Sequence, residues 1–380
     1  MRAIPLAMVL CLVPQDPPEQ RFDKPERTLP HEFTQVRGFR ELADGRVLIT
    51  DRLDEKLLLA DFTRGTTTLI GRTGAGPAEY RMPGSVHAWP GDSSLVFDEG
   101  NARLFIVGPD HRIHRSFSAQ RAGTPYTIYP RGTDRAGRIY FEIPGWAVQQ
   151  PGQLVAESVS VARLDVRGDR LEPIARVLGS KPLPPGPKMR PSIPFVTFAP
   201  QDVWQVTPDG SLAIVRSKDY HLDWSGSGPT RSGRPVPHTR DKVTRADKME
   251  AARNFTVNSS MGGRGSGANA PSAASPVPAS MLTDSSIAEM ADHDAFAETL
   301  PPFAPRVPRL APEGVLWVER AQHAGQPPRY DLFDQDGNRI GRALLPAGRR
   351  LLGLGRGTLY LIATDETGIE RVERYRREIR

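Results

Sequence analysis

Short apolar runs, each entered through a turn, recur along the chain. They are "LADGRVLIT" (42–50), "WPGDSSLVFD" (89–98), "TDRAGRIYFE" (133–142), "TPDGSLAIV" (207–215), "APEGVLWVE" (311–319) and "GRGTLYLIA" (355–363). Each places Gly, Asp or Ser ahead of β-branched or aromatic residues, which is hairpin chemistry. A second hairpin follows in most copies: "LLLADFTRGTTTLIG" (57–71), "LFIVGPDHRIHRSFS" (104–118), "VARLDVRGDRLEPIARV" (161–177), the looser "YHLDWSGSGPTRSGRPV" (220–236) and "YDLFDQDGNRIGRALL" (330–345). The unit is therefore four strands, a to d, repeated six times at roughly 45 residues where nothing is inserted, the spacing of a propeller blade. A sandwich would not repeat one ordered pair of hairpins six times. The last unit stops after "IERVERY" (369–375), one strand short. The segment "PERTL" (25–29) is the expected donor, closing the ring and removing an open edge. The expected fold is all-β: a six-bladed β-propeller of four-stranded antiparallel blades over residues 25–380.

The stretch "GRTGAGPAEYRMP" (71–83) resembles the G-x-x-G-x-G-P-x-E-[FY]-x-x-P connector of bacterial six-bladed, NHL-like propellers, matching at Gly71, Gly74, Gly76, Pro77, Glu79, Tyr80 and Pro83. "DEGNARLFIV" (98–107) is similar to the D-x-x-N-x-R-[IL]-x-[VI] strand pair of the same group. The resemblance covers residues 25–380 outside the insertions and implies the fold. It implies little about function, because that group includes lyases, lactonases and proteins with no assigned activity. A phosphate-cradling loop would need Lys and Ser/Thr after its last Gly, then a helix; here Pro77 and a strand follow. Positive φ is expected at Gly74 and Gly76, Tyr80 is expected to wedge between blades, and Pro83 to begin a strand.

Strand order assigns the a–b and c–d turns to one face of the ring, and the b–c and d–a loops to the other. The first set is short. The long segments all fall in the second: 72–83, 144–158, 179–195, 237–302 and 320–328. Long loops on one side of a rigid scaffold mark a binding face. The insertion at 237–302, between blades four and five, holds "TRADKMEAARNF" (244–255) at helical spacing with a start signal at Thr244 and Asp247. It continues through "NSSMGGRGSGANAPSAASPVPAS" (258–280), whose composition reads as disordered, to a second short helix within 284–301. A partly helical, partly disordered strap over the pore is the expectation.

With 37 Pro and 35 Gly in 380 residues, turns outnumber long helices. A net charge of +6 is modest, and no basic cluster interleaves with aromatics. "RVERYRREIR" (371–380) carries three Glu among its Arg and reads as a solvated, alternating strand, so no nucleic-acid partner is expected. At the N-terminus, Arg2 precedes an apolar run from Ala3 to Val13, too short to span a bilayer and suited to a signal peptide over 1–14. An extracytoplasmic, monomeric protein without a membrane span is expected. The alternative is a lipid anchor through Cys11, the one cysteine, although Leu10 before it is not small.

No G-x-S-x-G, H-E-x-x-H or C-x-x-C occurs. His111 and His114 flank a short turn and read as exposed polar residues, and "DQDGN" (334–338) as a hairpin turn. The carboxylates Asp51, Asp98, Glu142, Glu319 and Asp365 fall where b strands end. Converging at a pore, Asp98, Glu142 and Glu319 would hold a divalent cation such as Ca through oxygen, a site that resemblance to gluconolactonase-like propellers implies. Otherwise each caps its own turn or pairs with a neighbour such as Arg103 or Arg320. Trp146, Arg190 and Trp317 offer an aromatic and cationic lining, with Trp317 equally placed for blade core. Two function classes follow. One is an extracytoplasmic binding or scaffold propeller without a cofactor, taking a small molecule, glycan or peptide over the pore on the loop-rich face. Its site would have Asp98, Glu142 and Glu319 as floor and Arg81, Trp146 and Arg190 as wall. The other is a metal-dependent, lactonase-like hydrolase or lyase with a pore carboxylate site.

Overall fold

The computed structural model describes residues 17–378 apart from 122–123, 125, 144–156, 182, 184–194, 227 and 261–282, and leaves out the side chains of 256–260. The signal-peptide segment 1–14, Cys11, Trp146 and Arg190 therefore lie outside the described residues, as does 261–280 of the low-complexity stretch.

Six antiparallel sheets form a six-bladed propeller. Blade one is Val36–Glu41, Val47–Asp51, Lys56–Asp61 and Thr66–Leu69. Blade two is Pro83–Trp89, Ser93–Asp98, Arg103–Val107 and Ile113–Ser118. Blade three is Gly132–Thr133, Arg138–Ile143, Ser158–Asp165 and Arg170–Leu178. Blade four is Val203–Val206, Leu212–Arg216, His221–Ser225 and Arg231–Ser232. Blade five is Arg309–Leu310, Leu316–Glu319, Arg329–Phe333 and Arg339–Leu344. Blade six is Arg349–Gly355, Thr358–Thr364 and Glu370–Arg376. Strands b and c are apolar at nearly every position because each sheet is covered on both faces by neighbouring blades. Outer strands such as Thr66–Leu69 are mostly exposed.

Arg27–Thr28 supplies the missing fourth strand of blade six, with Arg27 opposite Arg374 and Thr28 opposite Glu373. The pairing extends through Glu26 N–H to Arg374 C=O (2.7 Å) and Leu29 N–H to Val372 C=O (3.0 Å). The terminal strand beside it is not solvated as its charges suggest. It is interior to the blade, with Val372, Glu373 and Tyr375 buried, because "PERTL" covers its outer edge. The polar stretch Glu19–Arg21 adds a parallel fifth strand to blade five, against Arg342–Leu344. Its sequence carries no apolar signal; the buried Phe22 beside it packs on Trp317 and Tyr375.

The 71–83 connector is a structural clamp. Arg72–Thr73 pairs in parallel with Glu79–Tyr80. Tyr80 is fully buried between blades one and two, stacks on Phe105 and donates its hydroxyl to Ile70 C=O at 2.7 Å. Positive φ occurs at Gly71 and Gly74 but not Gly76. Gly76 is needed instead for close approach, since a Cβ there would press on the Glu79 carboxylate that accepts its N–H. The two motifs of the sequence meet here. Asn101 donates to Gly74 C=O at 3.0 Å, and Arg103 reaches Ala75, Gly76 and Glu79 carbonyls while its Nε holds Asp98 at 2.8 Å.

The insertion carries helix α1 (Arg245–Ser260) and helix α2 (Asp284–His293). Thr244 and Asp247 form a reciprocal capping box at the start of α1, and α1 runs through 258–260. Ala252, Ile287 and Met290 pack with Phe195, Met249, Phe255 and Phe296. Phe195 belongs to the loop between blades three and four, and Thr197 bonds Ala295 and Ala297 through the backbone. The insertion thus joins loops on either side of blade four, on the loop-rich face. Among the described residues no helix is long and apolar enough to cross a membrane.

Arg103→Ala is expected to lower stability by about 3–5 kcal/mol, because Asp98 is fully buried and loses its cation. Arg112→Ala, on an exposed turn, should stay within about 0.5 kcal/mol. Denaturant midpoints measure both; a loss under about 1 kcal/mol for Arg103→Ala would contradict the clamp.

Candidate functional site

The carboxylates at the b-strand ends do not converge. Buried Asp51 accepts the N–H groups of Thr34, Gln35 and Asp54. Asp98 accepts from Arg81 N–H, Asn101 N–H, Asn101 Nδ2 and Arg103. Glu142 is held by Arg131 (3.0 Å) and the indole N–H of Trp204 (2.8 Å). Glu319 takes the Tyr330 hydroxyl (2.9 Å) and faces Arg306. Asp365 caps the 365–369 turn and pairs with Arg371. Each is engaged within its own blade or with its neighbour. Among the described residues no group of three His, Cys, Asp or Glu is placed to hold a metal ion. Arg81 is exposed, and Trp317 is blade core.

A cleft of about 480 Å³ opens instead beside blade five, walled by Pro237–Thr239 and Asp241 of the insertion and by the 320–326 loop. Both walls belong to the long-loop set. The cleft lies over the third and fourth strands of the blade, off the axis. Its floor is Asp331, 1% exposed. Tyr220 from blade four donates its hydroxyl to Asp331 at 2.6 Å, and Arg320, Arg339 and Arg342 surround the same carboxylate at 3.2, 3.5 and 3.8 Å. Burial and the adjacent Asp331 push the Tyr220 phenol well above its usual range, so it remains a donor. Arg329 also lines the cleft and pairs with Glu19 at 3.9 Å, so four guanidiniums stand around the cleft with Asp331, Asp241 and Glu19 as their acidic neighbours. The 320–326 wall is pinned by helix α1: Asp247 accepts His323 Nδ1 (2.9 Å) and Ala324 N–H (2.7 Å). Arg320 was expected only as a partner for a strand-end carboxylate, and Arg339 and Arg342 carry no signal beyond the cross-strand pair of Asp331 and Arg342.

Further basic residues lie on the inner strands. The first strands of successive blades touch around a central channel. Arg37, Arg309 and Arg350 stand at the loop-face ends of three of these strands, with Ser85 and His87 on blade two. His87 is packed around by protein, contacts Pro130 C=O through Nε2 at 3.2 Å, and faces Arg309 on the opposite blade. Burial first, and then the charge of Arg309, lower its pKa to about 4.

No protein-family model and no curated protein sequence matches the chain. Solved structures give distant likenesses. A gluconolactonase from Xanthomonas campestris shares 13% identity over 92% of this chain and 88% of its own, with a TM-score of 0.45. Regucalcin, a calcium-binding protein from Agrobacterium tumefaciens, shares 12% over 95% and 97%, with 0.40. A streptogramin B lyase shares 11% over 93% and 86%, with 0.40. At such values the likeness carries no chemistry to this chain, and the NHL-like resemblance stays one of sequence motifs.

The unfolded chain binds a proton at His87 near pH 6.5, the native state only near 4. His87 therefore costs no stability above pH 6.5 and costs progressively more as pH falls from 6.5 through 4. Between pH 7 and 4.5 the native state should lose roughly 2 kcal/mol on this account. Urea titrations of the parent and His87→Gln should show that much less acid destabilisation in the variant; equal slopes would contradict the assignment.

Proposed function

We propose that this protein is a binding propeller that takes a small polyanion, bearing carboxylate or phosphate groups, into the cleft beside blade five. The observation that carries the reading is the sharing of one buried carboxylate by Arg320, Arg339 and Arg342 in a cleft of about 480 Å³. That volume suits a small ligand, and planar guanidiniums pair with oxyanions through two parallel hydrogen bonds. Asp331 gathers the three guanidiniums at one place, and Tyr220 holds that carboxylate from below. The apolar run after Arg2 supports action outside the cytoplasm. The hydrolase alternative would draw on Asp98, Glu142 and Glu319, whose oxygens are already engaged by Arg103, Trp204 and Tyr330.

Calorimetric titration at low ionic strength with citrate, inorganic phosphate and galactarate tests the proposal. At least one should bind the parent, more weakly as NaCl is added. Arg339→Ala with Arg342→Ala should weaken that binding ten-fold or more, since each charge-assisted contact contributes about 1.5–3 kcal/mol. No binding of any of the three, or equal affinity in the double variant, would overturn it.

A further inference from the structure

The guanidiniums of the cleft can only donate hydrogen bonds. Its walls carry groups of the opposite kind. His238 and His323 both line the cleft, one on the insertion wall and the other on the 320–326 wall. Both are half-buried, and each has one ring nitrogen engaged. His323 Nδ1 lies 2.9 Å from Asp247, whose almost fully buried carboxylate also accepts the N–H groups of Ala324 and Thr244. Burial works against the charge of Asp247. The N–H groups of Ala324 and Thr244, with His323 and the Thr244 hydroxyl, outweigh it and hold its pKa below the usual carboxylate range. A carboxylate can only accept, so His323 Nδ1 donates. His238 Nδ1 lies 3.3 Å from Val236 C=O, which also can only accept. In a neutral imidazole the remaining nitrogen is then an acceptor. Neither Nε2 has a hydrogen bond among the described residues.

Direct contacts tie these histidines to the arginine cluster. The His238 ring meets Tyr220 edge-on with centroids 6.1 Å apart, and the Arg320 guanidinium lies over the same Tyr220 ring at 5.2 Å. Tyr220 donates to Asp331, the carboxylate shared by Arg320, Arg339 and Arg342. His323 follows Arg320 along the other wall. Gln322, between them, also lines the cleft, and its Oε1 is buried with no partner among the described residues. Native folds leave few buried polar atoms unpaired. The cleft therefore sets His238 Nε2, His323 Nε2 and Gln322 Oε1, all acceptors, beside a cluster of donors. A carboxylate without hydroxyls satisfies the donors and leaves the acceptors empty. We propose, on the reading that the cleft binds polyanions, that its ligand is a hydroxy polycarboxylic acid. Its carboxylates meet Arg320, Arg339 and Arg342, and its hydroxyls donate to His238, His323 and Gln322.

Calorimetric titration with two matched pairs of acids, at pH 8 where imidazole is ordinarily neutral, tests the inference. Tartrate is succinate with hydroxyls added, and citrate is propane-1,2,3-tricarboxylate with a hydroxyl added. The parent should bind tartrate and citrate about ten-fold or more tightly than their hydroxyl-free partners, because a site built to bond a hydroxyl rejects the analogue that lacks it. His323→Phe and His238→Phe each keep a planar ring and lose the acceptor. Each should cut that preference several-fold while leaving succinate affinity almost unchanged. Arg339→Ala should weaken tartrate and succinate alike and keep the preference. If one histidine variant does not fold, the other carries the same test. Equal affinity within both pairs, no binding of tartrate or citrate, or an undiminished preference in the histidine variants would overturn the hydroxy-acid assignment. Phosphate bound through Arg339 and Arg342 with no preference among the acids would overturn that assignment alone, whereas no binding of any of these anions would remove the polyanion reading with it.

Discussion

The ring depends on one short pairing, that of Arg27–Thr28 with Glu370–Arg376. Without it blade six would end in an open edge. Leu29 and Phe33 follow the pairing into a core shared by Val36, Phe62, Tyr360 and Val372, and are almost fully buried there. Burial of side chains of this size contributes about 1.5–3 kcal/mol each. Glu41 adds a polar staple across the same seam, accepting from Tyr360, Thr358 and the N–H of Arg356. Closure sets Arg37 beside Arg350 and brings the Glu370 carboxylate to Val36 N–H. The same N-terminal segment, eight residues earlier, lays Glu19 along Arg342 at the edge of the cleft blade. The cleft blade is therefore built partly by the segment that precedes blade one.

Acidic and basic groups are organised by different rules in this molecule. Aspartates sit at strand ends and turns, where a short carboxylate reaches two or three backbone N–H groups within a few residues. Asp134 and Asp334 do this, while Asp51 and Asp98 accept both from their own turn and from N–H groups 16 or 17 residues away on the preceding segment. Arginines reach further and serve as staples between elements, as Arg103 does for the connector. Where several reach one place, as at Asp331, they share a single buried carboxylate. A ligand that brings negative charge then removes a repulsion.

Most of the fold could be read in the sequence because turn chemistry repeats: "ADGR", "APEG" and "QDGN" mark hairpins by mechanism. The closing strand was legible because the last repeat was one strand short. Tyr80 and Pro83 were legible as wedge and strand start, while Gly76 was not, since close approach to Glu79 leaves no local sign of its φ. The loop-rich face was legible from loop lengths, and two of those loops do wall the cleft. The carboxylate floor was not, because position at a strand end tells nothing of where a carboxylate's hydrogen bonds go. Asp98 looked like a pore residue and is a connector clamp. The arginine cluster was invisible for a different reason. Arg320, Arg339 and Arg342 come from a loop and a strand on either side of Asp331, and in a chain with 50 Lys and Arg no single one stands out. Glu19–Arg21 is a strand only because blade five offers it an edge.

The central claim is that clustered arginines, and not acidic residues, define the working site. Anomalous scattering from crystals soaked in sodium bromide tests it most directly. Bromide should appear in the cleft among Arg320, Arg339 and Arg342. Bromide confined to exposed arginines such as Arg81 and Arg112, with the cleft empty, would contradict the account.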